Sequence, residues 1–432
     1  MVGAPYLVAL NLTRRCNLDC AHCYLDAGKR RDADPQELTT REVCALIGDI
    51  AALSDETMLV LSGGEPLLRP DIEQIAAHAA GLGLMVVVGT NGMALTDRRV
   101  AALKGAGVVG VGISVDSLDP GRHDAFRGLP GSFGRTMAGI DACRRGGLGF
   151  QIHFTVTDDT AGELDAMIAF AQSIGAIALN VFFLVCTGRG RYVSNISRAG
   201  YDRTLRHLTR AARAAEGIMI RAKCAPHFKR MAIELDAGWP ITLAHGYEAG
   251  GCLAGTRYAR VTPSGEITPC PYMEISAGSI RERGFADIWQ DAPVFERLRA
   301  PRLTGRCGLC EYARICGGCR ARPFAATGDM MGEDPLCAYQ PDATGAIPHM
   351  PRTDAPAVTW TETARTRLAR VPPFVRRFVR QRAEAYAGAL GCDTVTTEHL
   401  EVLARSRFGS AAPPRPGAEA ARTRPERRHD LG

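Results

Sequence analysis

Between residues 6 and 185 short apolar runs alternate with segments whose apolar residues recur every three or four positions. That alternation confines the chain to a parallel sheet with helical connections. Runs at 6–11, 58–61, 85–88, 111–115, 150–156 and 178–184 read as six strands. Helices are expected at 71–80, 96–106, 132–145 and 161–174. An earlier one enters through a capping box of Thr39 and Glu42 and carries the stripe Val43, Leu46, Ile47, Ile50 and Leu53. Six βα units fall short of a closed eightfold barrel, so the expected fold class is α/β, a partial, open (β/α)6 TIM-like barrel over residues 1–185.

Cysteine is the anomalous residue, with 15 copies in 432 residues. The N-terminus has no basic stretch before its short apolar run, and no run of about 18 apolar residues occurs, so neither an export signal nor a membrane span is expected. A cytoplasmic protein is the expectation, and there clustered thiols point to metal before disulfides. Cys16, Cys20 and Cys23 stand in a C-x3-C-x2-C spacing in the loop after the first strand, at the end of a strand where barrel chemistry is built. Three thiolates do not fill a tetrahedral zinc site, whereas on a [4Fe-4S] cubane they leave one iron open. An incidental thiol cluster or a zinc knob is the bland alternative.

The run CNLDCAHCY resembles the radical S-adenosylmethionine (radical SAM) motif C-x3-C-x-aromatic-C, with His22 in the aromatic slot. The resemblance implies a [4Fe-4S] cluster whose open iron chelates S-adenosylmethionine (SAM) and reductively cleaves it to a 5'-deoxyadenosyl radical. Gly63, Gly64, Glu65 and Pro66 follow the second strand, where glycines admit a close ligand and a carboxylate can accept from an ammonium group. By the resemblance they meet the methionine amino group. Asn91 and Gly92 follow the third strand at the same mouth, and Ser114 and Asp116 leave the fourth with acceptors suited to ribose hydroxyls. The resemblance assigns the methionine carboxylate to Arg127. No catalytic residue is assigned beyond the cluster and SAM. Each of these polar residues, taken singly, also suits a solvated surface.

Seven more cysteines, Cys252, Cys270, Cys307, Cys310, Cys316, Cys319 and Cys337, fall within 86 residues. Residues 252–340 show little periodicity, so metal rather than a large apolar core is expected to order this Cys-rich, cluster-binding extension. It resembles the SPASM extension of radical SAM enzymes, which binds one or two auxiliary [4Fe-4S] clusters. That implies one cluster on Cys307, Cys310, Cys316 and Cys337 and a second on Cys252, Cys270 and Cys319. Two departures stand out: only Gly317 and Gly318 separate Cys316 from Cys319 where three residues are usual, and Tyr258 stands where some members place a further cysteine. The second set therefore has an open iron, an unidentified ligand, or no cluster. A zinc ribbon over 307–319 is the alternative. Cys44, Cys143 and Cys392 read as small buried hydrophobes. Cys186 and Cys224 are either structural or in contact with substrate or cluster.

Residues 186–251 read as a connecting region with helices near 201–216 and 228–236, 341–357 as a linker, 358–409 as a small helical module and 410–432 as a disordered tail. Of the net charge of +6, all lies in residues 351–432, with 15 Arg against 9 acidic residues, so the body is no nucleic-acid binder by charge. The module sets Leu368, Val371, Phe374, Val375, Phe378 and Val379 among Arg365, Arg367, Arg370, Arg376, Arg377, Arg380 and Arg382, with Gly391 and Thr396 as helix stop and start. It resembles the small C-terminal domain of the light-independent protochlorophyllide reductase B subunit. Through residues 182–190 (FFLVCTGRG) and the stretch around 252–273, the body resembles the radical SAM enzymes of alternative heme and d-type heme synthesis. The implied reaction is hydrogen abstraction from a propionate of a heme-type tetrapyrrole, which is decarboxylated or loses the side chain. An external donor such as ferredoxin or flavodoxin supplies electrons. The rivals are a SPASM maturase of a ribosomally made peptide and a non-catalytic iron–sulfur electron carrier. A pure carrier has no need of the GGEP turn and the strand-four polar set.

Overall fold

A computed structural model describes residues 2–28, 34–193, 196–236, 251–342, 358–371 and 373–408. The six expected strands are present as β1 (Leu7–Asn11), β2 (Met58–Ser62), β3 (Met85–Thr90), β4 (Val108–Ser114), β5 (Phe150–Val156) and β6 (Ala178–Phe183), parallel and adjacent in chain order. A seventh, β7 (Met219–Lys223), pairs parallel with β6 and comes from the segment read as a connection. Its sequence MIRAK hides the signal, because Arg221 and Lys223 interrupt the apolar run. On the other side of β1 the Cys-rich segment adds β8 (Tyr258–Val261), parallel to β1, then β9 (Glu266–Thr268) and β10 (Gly278–Ser279), antiparallel. The ten-stranded sheet runs β10-β9-β8-β1-β2-β3-β4-β5-β6-β7, an open partial barrel.

The expected helices are α1 (Thr40–Leu53), α2 (Ile72–Gly81), α3 (Asp97–Gly105), α5 (Ser132–Gly146) and α6 (Leu164–Ser173), and the Thr39–Glu42 capping box closes on both sides. An unexpected α4 (Pro120–Arg127) starts on an Asp119 cap with Pro120 in its first turn and stops at Gly128 in the left-handed region. α7 (Arg198–Ala214) and α8 (His227–Leu235) follow.

The two faces of the sheet differ in chemistry. Leu59, Leu61, Val86, Val88, Val111, Ile113, Ile152, Phe154, Leu179 and Val181 are fully buried in the main apolar core. The opposite side chains, in register across β4 to β7, include Ser114, His153, Asn180 and Arg221 in one row, and Thr155, Phe182 and Lys223 in the next. A parallel sheet covered on both faces is apolar on both. Here the second face lines a chamber instead of a packed centre, and Asn11 and Ser62 continue its polar wall on β1 and β2.

The Cys-rich segment departs from expectation in one respect. Its helices α9 (Phe285–Asp291) and α10 (Pro293–Arg299) bury Phe285, Ile288, Trp289 and Phe295 completely, so an apolar core orders this part directly. Each helix has seven residues, too short to show a period in sequence. The C-terminal module pairs Thr359–Trp360 with Thr394–Val395 and packs helices Glu362–Ala369, Pro373–Ala389 and Thr397–Phe408 around Ala364, Ala383, Ala387, Val395 and Leu400. Arg376 is committed to the carbonyls of Ala369 and Val371, and Arg367 to Glu401 at 2.7 Å. Residues 343–357 of the expected linker, the tail from 409, and the side chains of Phe374, Val375, Arg377 and Phe378 lie outside the described residues. Among those described, no helix is long and apolar enough to cross a membrane. Cys143 is buried as expected and Cys44 half-buried, but Cys392 is exposed, because it follows the Gly391 turn on the surface of the module.

Candidate functional site

Beyond β1 the chain forms the loop that carries Cys16, Cys20 and Cys23, and glycines of three other loops seat it. The amides of Gly64 and Glu65 donate to the carbonyls of Thr13 and Arg15, each at 2.8 Å. A Cβ at Gly64 would stand 2.2 Å from the Arg15 oxygen, one at Gly128 2.6 Å from that of Asp19, and one at Gly188 2.5 Å from that of Cys23. The glycines read as admitting a ligand thus first admit the protein's own cysteine loop. Arg189 ties the same loop, donating through Nε to the Cys20 carbonyl at 3.0 Å and pairing with Asp19 and Asp26. His22 stacks on Phe126 of α4 at 4.4 Å, and burial lowers its pKa to about 4, so the ring is neutral.

The three thiols face one cavity. Burial, the largest cause, with Glu65 and the Cys20 and Cys23 thiolates pushes Cys16 up to about 12 against the lowering effect of the Leu18 amide. Burial also raises Cys20, opposed by Arg127, whose Nη1 lies 3.7 Å from its sulfur. The amides of Leu18 and Ala27 point at the sulfurs of Cys16 and Cys23, both at 3.4 Å. Buried thiols that share a cavity with each other, a cation and amide donors fit an iron–sulfur cluster, since metal drives the thiolate form and such donors tune it. Among the described residues no three metal-ligating side chains converge on a single ion. A cluster spreads its ligands over several irons, so its three thiols need not meet at one point.

The cofactor candidates divide into a front row and a back row. Gly63, Gly64, Asn91, Ser114 and Arg127 line the cavity beside the thiols. Glu65, fully buried, accepts from Thr90 Oγ1 and the Asn91 amide at 2.8 Å and from the Leu67 amide at 3.1 Å, so its carboxylate braces the β3 turn. Pro66, behind it, opens a buried 3-10 turn. Asp116 accepts from the Thr155 amide at 2.9 Å and pairs with Arg127 at 2.5 Å. Burial alone would raise its pKa, and the guanidinium overcomes that and lowers it. Asp116 therefore aims Arg127 at Cys20 from behind the cavity wall. Sequence reasoning missed the seats Gly128 and Gly188, the tie Arg189 and the inner-wall basic residues Arg221 and Lys223, the lysine's pKa lowered to about 7 by burial and by Arg221. For Gly188 and Arg189 the signal was TGRG directly after a strand.

Residues 10–171 match the Radical SAM superfamily model. Over 348 residues, 79% of this chain and 98% of the relative, the sequence is 43% identical to the AdoMet-dependent heme synthase of Methanosarcina barkeri. The chain belongs to the radical SAM superfamily. A pre-heme d1 synthase of Dinoroseobacter shibae is 33% identical (81% of this chain, 90% of that one), and a mycofactocin maturase MftC of Mycobacterium ulcerans 31% (81% and 93%). The fold is that of Streptococcus suis SuiB bound to S-adenosylmethionine, at 16% identity, TM-score 0.63 and 78% coverage of both chains. Residues 252–320 match an iron–sulfur cluster-binding domain and 360–403 the proto-chlorophyllide reductase 57 kD subunit. The protein is thus an enzyme that uses SAM, a [4Fe-4S] cluster and auxiliary iron–sulfur.

In this radical SAM protein Cys307, Cys310, Cys316 and Cys337 surround one small cavity together with His227, Arg230 and Arg306. Arg306 donates to the Cys337 carbonyl at 3.1 Å, and Arg320 reaches the Cys307 sulfur at 3.9 Å. The short Cys316–Cys319 spacing is made by two left-handed glycines, Gly317 at φ 60° and Gly318 at φ 68°. Cys252, Cys270 and Cys319 face the main chamber instead.

Proposed function

We propose that this radical SAM enzyme takes a hydrogen atom from a propionate side chain of a heme-type porphyrin and releases the carboxyl group. The observation that supports it is the chamber wall. Arg221 and Lys223 stand in register with Asn180 and Phe182 on its inner face, and among the described residues the buried Nε of Arg221 has no hydrogen-bond partner. A flat apolar disc rimmed by carboxylates matches such a wall, since guanidinium pairs carboxylate bidentately. The similarity to heme synthases points the same way.

When bound, the cluster and SAM supply the 5'-deoxyadenosyl radical that abstracts hydrogen. In this reading Cys16, Cys20 and Cys23 hold the cluster, while Gly63, Gly64, Asn91, Ser114 and Arg127 border SAM, braced from behind by Glu65, Pro66 and Asp116. Loss of one hydrogen atom and of carbon dioxide turns the propionate into a vinyl group and leaves one electron, for which the extension at 252–340 is the outlet. A soluble donor such as ferredoxin or flavodoxin, a cytoplasmic setting and a substrate-meeting role for residues 358–409 complete the proposal.

Anaerobic incubation with SAM, reductant and a propionate-bearing iron porphyrin should yield carbon dioxide, and no carbon dioxide would overturn the reading. Substituting Arg221→Met removes one charge-assisted contact worth about 1.5–3 kcal/mol. It should weaken porphyrin binding at least ten-fold in an absorbance titration, with little effect on the porphyrin methyl ester. A truncation ending at Ala357 should also bind porphyrin more weakly, with the difference shrinking at high salt as the exposed Arg365, Arg370 and Arg380 are screened. Failure of the full chain to bind any porphyrin would shift the reading to a peptide maturase.

A further inference from the structure

The later cysteines leave one set a ligand short, with Cys252, Cys270 and Cys319 as three thiols and Tyr258 where a fourth was sought. The fold fills the gap from outside that segment. Cys224, directly after β7, lines the same chamber as those three thiols, although it stands 28 positions before Cys252. We propose that Cys224 is the fourth thiolate of the second auxiliary cluster, beside Cys252, Cys270 and Cys319. The inference rests on the auxiliary-cluster reading of these cysteines and is independent of the porphyrin substrate.

Three observations carry it. The first is convergence. Cys224, Cys252, Cys270 and Cys319 line one chamber, and Tyr272, two residues after Cys270, hydrogen-bonds the Cys224 thiol. The second is a shared anchor. Fully buried Asp334 accepts from the Cys319 amide and from Arg322 Nη1, both at 2.8 Å, and Arg322 Nη2 donates in turn to the Cys224 carbonyl. One carboxylate therefore fixes the backbone of two thiols that come from distant parts of the chain.

The third is conformation. Cys224 has φ +55°, one of two described non-glycine residues in the left-handed region. Such a backbone is strained and persists where the surroundings over-determine it, commonly at functional sites. A glycine there would relieve the strain, but it would remove the sulfur. Nearby, a Cβ at Gly251 would stand 2.7 Å from Pro226 Cβ and 2.2 Å from the Cys316 carbonyl, so the chain before Cys252 is pressed directly against the turn that carries Cys224.

The test measures iron and sulfide and uses no turnover. In protein with Cys16, Cys20 and Cys23 all replaced by Ala, anaerobic reconstitution leaves only the auxiliary sites. Adding Cys224→Ala should then either remove about four irons per chain or leave a cluster with an exchangeable iron, whose electron paramagnetic resonance signal shifts on adding imidazole. Adding Cys224→Ser should shift the signal with the iron retained. If Cys224→Ala matches its background in iron, sulfide and signal while Cys252→Ala loses about four irons, the assignment of Cys224 is wrong. If Cys252→Ala changes nothing either, no cluster sits there, and the underlying reading falls with the inference. A persisting signal from the Cys307 set reports that the variants are folded. Should Cys224→Ala lose that signal too, the Ser variant decides, and an unshifted spectrum from it overturns the proposal.

Discussion

Replacing Cys16, Cys20 and Cys23 together by Ala will abolish 5'-deoxyadenosine formation under dithionite, while iron held by the later cysteines persists. The thiols contribute little to seating their own loop. The backbone bonds to Gly64 and Glu65 and the Arg189 ties do that, and none uses a sulfur. The variant should therefore fold and keep its chamber while losing the site that fixes SAM. Chromatography of the nucleoside products and an iron assay read the two effects separately. Undiminished 5'-deoxyadenosine would remove these cysteines from the chemistry. Iron near zero with zinc present would favour a zinc ribbon at 307–319.

A single methyl group at Gly64 should come close to the same loss. Its Cβ would meet the Arg15 carbonyl at 2.2 Å, main chain against main chain, so no rotamer change relieves the clash. Overpacking of this kind costs about 1–3 kcal/mol and sometimes more, and a backbone obstacle belongs at the upper end. Since each 1.4 kcal/mol is a factor of about ten in population, the seated loop becomes a minor state. Gly64→Ala should lower SAM cleavage at least ten-fold and lose iron from the first site alone. Gly48→Ala, on α1 with nothing within 4 Å of the added atom, is the matched control and should be neutral. Full SAM cleavage by Gly64→Ala would show that the loop needs no such seat.

The strands and their order were legible because each presents an apolar run to the helices, and the cap at Thr39 because it is local. β7 was not, since its inner residues Arg221 and Lys223 face a chamber and break the apolar rule. α4 was hidden by its brevity and polarity, eight residues of PGRHDAFR with only the Asp119–Pro120 start as a cue. Within the site, residue types were readable and directions were not. Glu65 was read as open to an ammonium group and is spent on Thr90 and Asn91, 25 and 26 positions away. Asp116 was read as facing ribose and holds Arg127 instead. Spacing exposes ligands that lie together along the chain, which is why the Cys16 set was evident and Cys224 was not.

The sheet order has a mechanical side. β7 ends one margin, and β8, β9 and β10 stand beyond β1 on the other, so among the described residues no ladder of backbone hydrogen bonds spans the slot between the two margins. Cys224 hangs from the first margin, and Cys252 and Cys270 flank β8 and β9 on the second. Four thiols sharing one cluster would rivet the slot shut. The girth of the chamber, and with it the largest disc it admits, would then be set by inorganic bonds acting together with the Arg322 bond to the Cys224 carbonyl.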